Sequence, residues 1–193
     1  MNKLCYPLIL FCTLLVSACV QTVQPADKDQ AKQSQLAISS VRDMPISYAK
    51  GAKFSLSPKF INASFSQAEQ ASIYESYSKA VNQALLAAGY QPSNNQPSNN
   101  QQAEFTVVFG LALQQDLPDS KISEEFGVLP GLSSAERLEK GSFLIYIEDN
   151  ITNQRIWRGA VQGFVHQDFS PAQREQRAVT VVNSVLSSFL SMK

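Results

Sequence analysis

Alternation of apolar and polar residues predicts β-strands in two separate stretches of the chain. In "KFSLSPKF", Phe54, Leu56 and Phe60 fall on one face of an extended segment. In "AEFTVVFGLALQ", every second residue from Phe105 onward is large and apolar, and the residues between them are small or apolar. We therefore expect the second strand to be covered on both faces.

A longer stretch, "GSFLIYIEDNITNQRIWRGAVQGFV", predicts a β-hairpin. Phe143 to Ile147 form the outgoing strand, Asn150 to Asn153 the turn, and Ile156 to Val165 the returning strand. Asparagine adopts left-handed turn conformations at low cost, which suits Asn153 at the end of the turn.

Two other stretches repeat apolar residues every three or four positions, the period of an amphipathic helix. The first starts at the capping box of Ser66 and Glu69 and stops at Gly89. The second starts at Ser170, with Pro171 in its first turn. The pattern predicts an α+β fold, with a small sheet of about four strands and two helices packed on one face. The predicted order is strand, helix, strand, β-hairpin, helix.

The N-terminus has the pattern of a secretory signal peptide over residues 1–18. Its apolar run, Leu4 to Ala18, is about 15 residues long, shorter than the roughly 20 needed for a membrane-spanning helix. The end of this run together with Cys19, "VSAC", resembles the lipobox of bacterial lipoproteins. That resemblance implies that Cys19 is the lipid attachment site. Since no aspartate follows Cys19, it also implies anchoring in the outer membrane, facing the periplasm.

Residues 19–45 are rich in Gln, Ala, Ser and Lys and show no sustained period, so we expect a lipidated N-terminus and a flexible tether. Residues 46–193 then form a single α+β periplasmic domain. Within this domain "QPSNNQPSNN" repeats the same five residues and predicts a loop lengthened by duplication.

Composition narrows the possible chemistry. Sixteen basic and sixteen acidic residues give a formal net charge of zero, so nothing indicates a nucleic-acid partner. Cys5 and Cys12 lie in the predicted signal peptide. With Cys19 acylated, no thiol remains for a disulfide, a metal site or a nucleophile. We expect neither a cofactor nor a metal ion.

The hairpin also carries a family resemblance. The segments "GSFLIYIED" and "RIWRGA" resemble the signature of the domain-of-unknown-function 4136 family, found largely in bacterial lipoproteins. The matching residues are Gly141, Leu144 or its neighbour Phe143, Asp149, Trp157, Arg158 and Gly159. Tyr146 and Glu104 depart from the family pattern, which has aspartate at both positions. The resemblance covers roughly Tyr48 to Leu190 and implies a compact α+β lipoprotein domain with no assigned reaction.

Trp157 and Arg158 are adjacent in a strand and therefore point to opposite faces of the sheet. We expect Trp157 to fill the core and Arg158 to face solvent or to pair with a carboxylate. The acidic turn that precedes them, Glu148 to Asn150, lacks the spacing of a calcium loop, and a solvated turn is expected there.

His166, the single histidine, is followed two residues later by Asp168, and these residue types could form an oriented general base. A hydrolase would also need a nucleophile and an oxyanion site, and the sequence contains no G-x-S-x-G motif. We therefore expect no catalytic residues and no enzyme activity.

The connection from Gln115 to Lys140 is unusually long for a compact domain, which suggests a binding loop or a cover. It carries Phe126, Leu129 and Leu132 as a candidate interaction surface. These side chains either form a partner patch or cap the sheet, and the sequence leaves both alternatives open.

Three functions follow as expectations. The first is an outer-membrane-anchored, non-catalytic envelope accessory or protein-binding factor, with the membrane and an envelope protein as partners. The second is a module that binds a small ligand, a lipid or a peptidoglycan fragment, in a pocket lined by Phe126 and Leu129. The third is a hydrolase that uses His166 and Asp168. The sequence indicates no oligomeric state.

Overall fold

A computed structural model describes residues 33–59, 67–93, 102–166 and 168–191. This part of the chain forms one mixed β-sheet, with α-helices in the connections between strands and after the last strand. The elements are β1 (Leu36–Arg42), β2 (Lys53–Pro58), α1 (Gln67–Ala87), β3 (Gln91–Pro92), β4 (Phe105–Leu113), α2 (Asp119–Lys121), a π-helical turn (Ile122–Phe126), β5 (Lys140–Asp149), β6 (Gln154–Phe164) and α3 (Pro171–Leu190). The predicted signal peptide, Cys19 and Ser66 lie outside the described residues.

The sheet has the strand order β1-β6-β5-β4-β2-β3. β2 runs parallel to both β3 and β4, and the pairs among β4, β5, β6 and β1 are antiparallel. α1 lies in the connection that returns the chain from β2 to the parallel strands beside it. The α+β class is confirmed, but the described sheet has six strands rather than about four, and a short third helix is present.

The two unpredicted strands are β1 and β3. β1 occupies residues that the sequence assigned to the tether, so that assignment is wrong from Leu36 onward. All seven residues of β1 pair with β6, from Leu36 opposite Gly163 to Arg42 opposite Trp157. Half of its side chains are small or polar, so the strand depends on this pairing more than on its own pattern. β3 is only two residues long.

α1 and α3 cover the same face of the sheet and enclose the main core. Its largest fully buried side chains include Trp157, Phe105 and Phe109. α3 begins at Ser170 as predicted and has a capping box there: the Gln173 N–H donates to Ser170 Oγ over 3.4 Å, and the Ser170 N–H donates to Gln173 Oε1 over 2.9 Å. At the end of α1, Gly89 has a φ of +94°, the left-handed stop expected there.

α3 approaches β6 closely at Gly159. A Cβ atom at this position would lie 2.4 Å from Val185 Cγ2 and 2.7 Å from Trp157 Cη2. Only a residue without a side chain fits between the strand, the indole ring and the helix.

The long connection after β4 covers the opposite face of the sheet. Ile122 and Val128 are buried against Leu144 and Ala160. The expectation that β4 is covered on both faces is therefore confirmed, since Val108, which faces this connection rather than α1 and α3, is also buried.

A polar clamp holds this connection to the sheet. Lys140, whose side chain is 2% exposed, donates from Nζ to Asp119 Oδ2 over 2.7 Å and to the Leu132 carbonyl over 3.1 Å. Gln162 donates from Nε2 to Asp119 Oδ1 over 2.7 Å and accepts from the Leu132 N–H over 3.0 Å. Desolvation raises the pKa of the Asp119 carboxyl. The hydrogen bonds from Lys140 and Gln162 and the Lys140 charge outweigh it and hold this pKa below its usual range.

We expect Gly159→Ala to lower the free energy of unfolding by about 3 kcal/mol because the new methyl group overpacks the contact between α3 and β6. Urea denaturation measures the change. Gly141→Ala is the matched control: its Cβ would meet Val165 Cγ2 at 3.2 Å, and it should cost under about 1 kcal/mol. Adding Val185→Ala to Gly159→Ala should cost less than the sum of the two single changes; additive costs would contradict the proposed clash.

Asp119→Ala should destabilise the protein more than Lys140→Met. The first change leaves a buried ammonium without its carboxylate and should cost about 3 kcal/mol. The second leaves a carboxylate whose side chain is 35% exposed and can be hydrated, so it should cost about 1 kcal/mol.

Lys121→Met, in an exposed ion pair with Glu124, serves as the control and should cost under about 0.5 kcal/mol. Denaturant midpoints and hydrogen exchange of the Leu132 amide report the effect. The reverse order for Asp119 and Lys140 would contradict the clamp.

Candidate functional site

A groove of about 730 Å³ lies between α1 and α3, above the end of the sheet where β4 finishes. Its floor comes from Leu111, Phe143 and Val161, which belong to three neighbouring strands. Ile73 and Tyr77 of α1 form part of one wall. α3 forms the other wall.

Two glycines deepen the floor of the groove. Leu113, Gly141 and Gly163 pair in register across β4, β5 and β6 and so share the face that α1 and α3 cover. A Cβ atom at Gly163 would lie 2.7 Å from Arg177 Nη2 and 2.9 Å from Leu36 Cδ2. Gly163 therefore leaves the room in which the Arg177 guanidinium lies.

Arg177 is the most unusual polar group of the groove. Its Nη1 donates to the Ser34 carbonyl over a long 3.5 Å, and its Nη2 is buried with no hydrogen-bond partner among the described residues. Burial lowers the pKa of Arg177, partly offset by Tyr77, but a guanidinium remains protonated at any physiological pH. Burial also raises the pKa of the Tyr77 hydroxyl to about 12, so Tyr77 is neutral beside this cation.

His166 lies at the mouth of the groove. Its Nε2 is 3.1 Å from the Gln33 carbonyl oxygen, and its ring stacks on Phe169 with centroids 4.0 Å apart. Desolvation lowers the pKa of His166; the Gln33 hydrogen bond opposes this, and the Arg177 charge adds to it. The imidazole is therefore neutral at pH 7 and donates its Nε2 proton to Gln33. Asp168 is exposed, and the structure shows no hydrogen bond between it and His166.

The other cations of the groove have partners. Lys79 forms an ion pair with Glu175 over 3.2 Å, and Arg174 donates from Nε to the Phe169 carbonyl over 2.9 Å. Glu75 and Glu139 add negative charge to the lining. The lining as a whole is therefore not basic, and Arg177 stands apart in carrying a buried, unsatisfied donor.

The groove is a different place from the pocket that the sequence predicts beside Phe126 and Leu129. Neither residue lines the groove, because the connection that carries them covers the other face of the sheet. Phe126 is half-buried with its ring edge-on to Tyr146, and Leu132 is buried. Leu129 is 43% exposed, so of the three candidate interaction residues it alone is on the surface.

The residues of the hairpin signature have structural roles. Trp157 fills the core, as expected. Arg158 pairs with Asp43 over 3.2 Å on the opposite face, under Gly127. The Asp149 carboxylate accepts hydrogen bonds from the Tyr48 hydroxyl and from the Thr152 amide and hydroxyl, all within 2.9 Å.

The acidic turn is held by hydrogen bonds of Asp149 to the turn's own backbone and of Asn150 to the start of β4. Asn150 donates to the Ala103 carbonyl and accepts from the Thr106 hydroxyl. In the described part of the chain, no group of three or more His, Cys, Asp or Glu side chains could hold a metal ion. No helix among the described residues is long and apolar enough to cross a membrane.

The sequence contains one pattern that indicates Arg177 as a functional residue. Arg177, Val181 and Val185 are spaced four residues apart, so the arginine falls on the apolar stripe of α3. A charged residue on a buried stripe is a candidate for function. That the Arg177 guanidinium lacks a hydrogen-bond acceptor depends on Gly163 and Ser34, which only the fold brings close to it.

Two solved structures are similar to this chain at low sequence identity. A PelC dodecamer structure from Paraburkholderia phytofirmans is 9% identical, with a TM-score of 0.48 over 79% of this chain and 96% of that chain. A PDZ domain protein from Parabacteroides distasonis is 10% identical, with a TM-score of 0.51 over 86% of this chain and 41% of that one. Among curated proteins, none matches this chain.

The family comparison covers most of the chain. The protein-family model described as a domain of unknown function, DUF4136, matches residues 46–189. This range includes all the hairpin residues that carry the resemblance in the sequence, all of α1, and all of α3 except its last residue, Leu190. The chain therefore belongs to the DUF4136 family.

Proposed function

We propose that this protein is an outer-membrane lipoprotein, anchored through Cys19, whose periplasmic domain is a non-catalytic binding module. The groove between α1 and α3 is its binding site. The observation that carries the proposal is the groove itself, an open space of about 730 Å³ with an apolar floor and an unsatisfied guanidinium.

The dimensions and lining of the groove fit this role. Ligand sites in proteins commonly have volumes of about 300–1,000 Å³, apolar walls and a few polar groups that orient the ligand. Here Leu111, Phe143 and Val161 supply the apolar surface, and Tyr77 and Arg177 supply the polar groups.

The arrangement of His166 favours binding over hydrolysis. A general base must be free to take a proton from its substrate. His166 instead uses its Nε2 proton to bind the Gln33 carbonyl, and its ring is stacked on Phe169. In this role His166 fixes the start of β1 at the mouth of the groove.

A protein partner on the opposite face is the second candidate function. The observation that favours it is the exposed Leu129 at the surface of the cover, beside the half-buried Phe126. The two candidates therefore differ in the face of the sheet at which the partner binds: the groove between α1 and α3, or the cover on the opposite face.

Mass spectrometry of the N-terminus of the protein from cells tests the anchor. We expect the first residue to be Cys19 with an added diacylglyceryl group and an N-acyl chain, and we expect Cys19→Ser to abolish this mass. Cys12→Ser, within the predicted signal peptide, is the control and should leave the acylation intact. An unmodified Cys19, or a wild-type protein that stays soluble after lysis, would refute the anchor.

Photo-crosslinking in intact cells tests the groove. We expect a photoreactive residue at Glu75, on the groove wall, to give a discrete adduct that is lost when Ser72→Trp fills the groove. Ser187→Trp places the same bulk on an exposed position of α3 outside the groove and should leave the adduct unchanged.

The position and mass of the adduct decide between the candidates. An adduct of small mass at Glu75 supports a small ligand in the groove. A second photoreactive residue is placed at Leu129. A protein-sized adduct there, with none at Glu75, would contradict the groove as the binding site and support a protein partner on the opposite face. No adduct at either position would overturn both.

A further inference from the structure

We infer that the groove binds a single-chain carboxylate of the fatty-acid class, drawn from the adjacent membrane, and that Arg177 is the residue that binds its carboxylate. This inference rests on the proposed function only in taking the groove as the binding site. It adds the chemistry of the ligand and the residue that selects it.

The first argument is the unsatisfied guanidinium. Arg177 Nη2 is buried against Gly163 and Leu36 with no acceptor among the described residues, and Nη1 has only the 3.5 Å contact with Ser34. A buried donor without an acceptor costs free energy that a hydrogen bond would recover. A small shift of the Arg177 side chain toward the groove would bring Nη2 within reach of a bound carboxylate, whose two oxygens match the planar fork of a guanidinium. Such charge-assisted pairs are among the strongest hydrogen bonds in proteins.

The second argument is the charge around Arg177. The two titratable groups that interact with its charge, Tyr77 and His166, are both neutral at pH 7. Lys79 and Glu175 compensate each other at the rim. Among the described residues no carboxylate forms an ion pair with Arg177, so one negative charge placed beside it would supply the missing partner.

The other charged lining residues, Glu69, Glu75, Glu139 and Arg174, add more acid than base. They disfavour the second negative charge of a phosphate monoester. We therefore assign a carboxylate rather than a phosphate to this site.

The third argument is the apolar surface beside Arg177. The guanidinium lies next to Leu36, and the floor continues through Val161, Phe143 and Leu111 across the sheet. A hydrocarbon chain bound along this floor would remove apolar surface from water on both molecules, which is the main driving force for such binding.

The fourth argument is where the chain enters the domain. His166 and Arg177 hold the carbonyls of Gln33 and Ser34, so the segment that leads back to Cys19 leaves from the mouth of the groove. This segment has about 14 residues, whose greatest possible length is about 50 Å. A lipid-anchored Cys19 would therefore keep the groove close to the bilayer, where fatty-acid anions partition.

Isothermal titration calorimetry with palmitate, below its critical micelle concentration, tests the inference. The chain from residue 19 to 193 carries Cys19→Ser, which keeps every described residue and removes the anchor. We expect saturable one-to-one binding, and we expect Arg177→Gln to weaken it about 10- to 100-fold, as for loss of a charge-assisted hydrogen bond. Arg42→Gln removes one positive charge from an exposed position outside the groove and should leave the affinity unchanged.

Two further ligands identify the chemistry. Hexadecanol has the same chain without the charge, so it should bind the parent protein more weakly than palmitate does, and the difference should disappear in Arg177→Gln. Hexadecyl phosphate should also bind more weakly than palmitate. Tighter binding of the phosphate would overturn the assignment of a carboxylate.

A spectroscopic readout separates a direct contact from a structural role of Arg177. With palmitate labelled with ¹³C at its carboxyl group, the pKa of the bound carboxyl should fall below that of the free acid, and this shift should be lost in Arg177→Gln. If Arg177→Gln fails to fold, Arg177→Lys keeps the charge without the fork and should retain the direction of the shift.

Failure of this inference differs from failure of the proposed function. If palmitate does not bind, or Arg177→Gln leaves its affinity unchanged, the fatty-acid assignment is wrong. If the Glu75 crosslink still depends on an open groove, the groove remains a binding site for another ligand.

Discussion

The fold depends on one constraint, the burial of β6 on both faces. On one face, Trp157 and Gly159 receive α3 so closely that no side chain fits at Gly159. On the other, Ala160 and Gln162 are covered by the connection that follows β4. The second part of the family signature, from Trp157 to Gly159, lies on this strand, and its residues contact both covers. Trp157 packs under the helix, and Arg158 holds Asp43 on the opposite face.

Much of this architecture could be predicted from the sequence because the elements that form the core carry strong periods. β4, the hairpin of β5 and β6, and both long helices were predicted from their apolar spacing. β1 was missed because its Ala and Ser positions give a weak alternation, and its stability comes from pairing with β6 and from the Ser40 contact with Ser188. Such a strand is defined by tertiary structure rather than by its own residues.

The candidate site was less predictable because it depends on residues that are distant in sequence. His166 and Asp168 suggested a catalytic pair by proximity along the chain, yet the histidine contacts Gln33, more than a hundred residues away. Arg177 lies on an apolar stripe that the sequence displays, but its unsatisfied donor follows from a glycine on β6 and a leucine on β1. Likewise, no local pattern distinguishes the exposed Leu129 from the buried Leu132, because the clamp around Lys140 decides which side chain faces the sheet.

The attachment of β1 has a mechanical consequence. β1 is an edge strand, and Gln33 and Ser34, just before it, are tied to the groove by His166 and Arg177. Tension on the preceding segment would therefore load these two hydrogen bonds before it reached the rest of the ladder with β6. Since Leu36 belongs to both the strand and the groove wall, a pull on the chain would widen the groove before it unfolded the domain. Through these hydrogen bonds, force on the N-terminal segment would change how readily the groove is occupied, and a ligand in the groove would change how the segment responds to force.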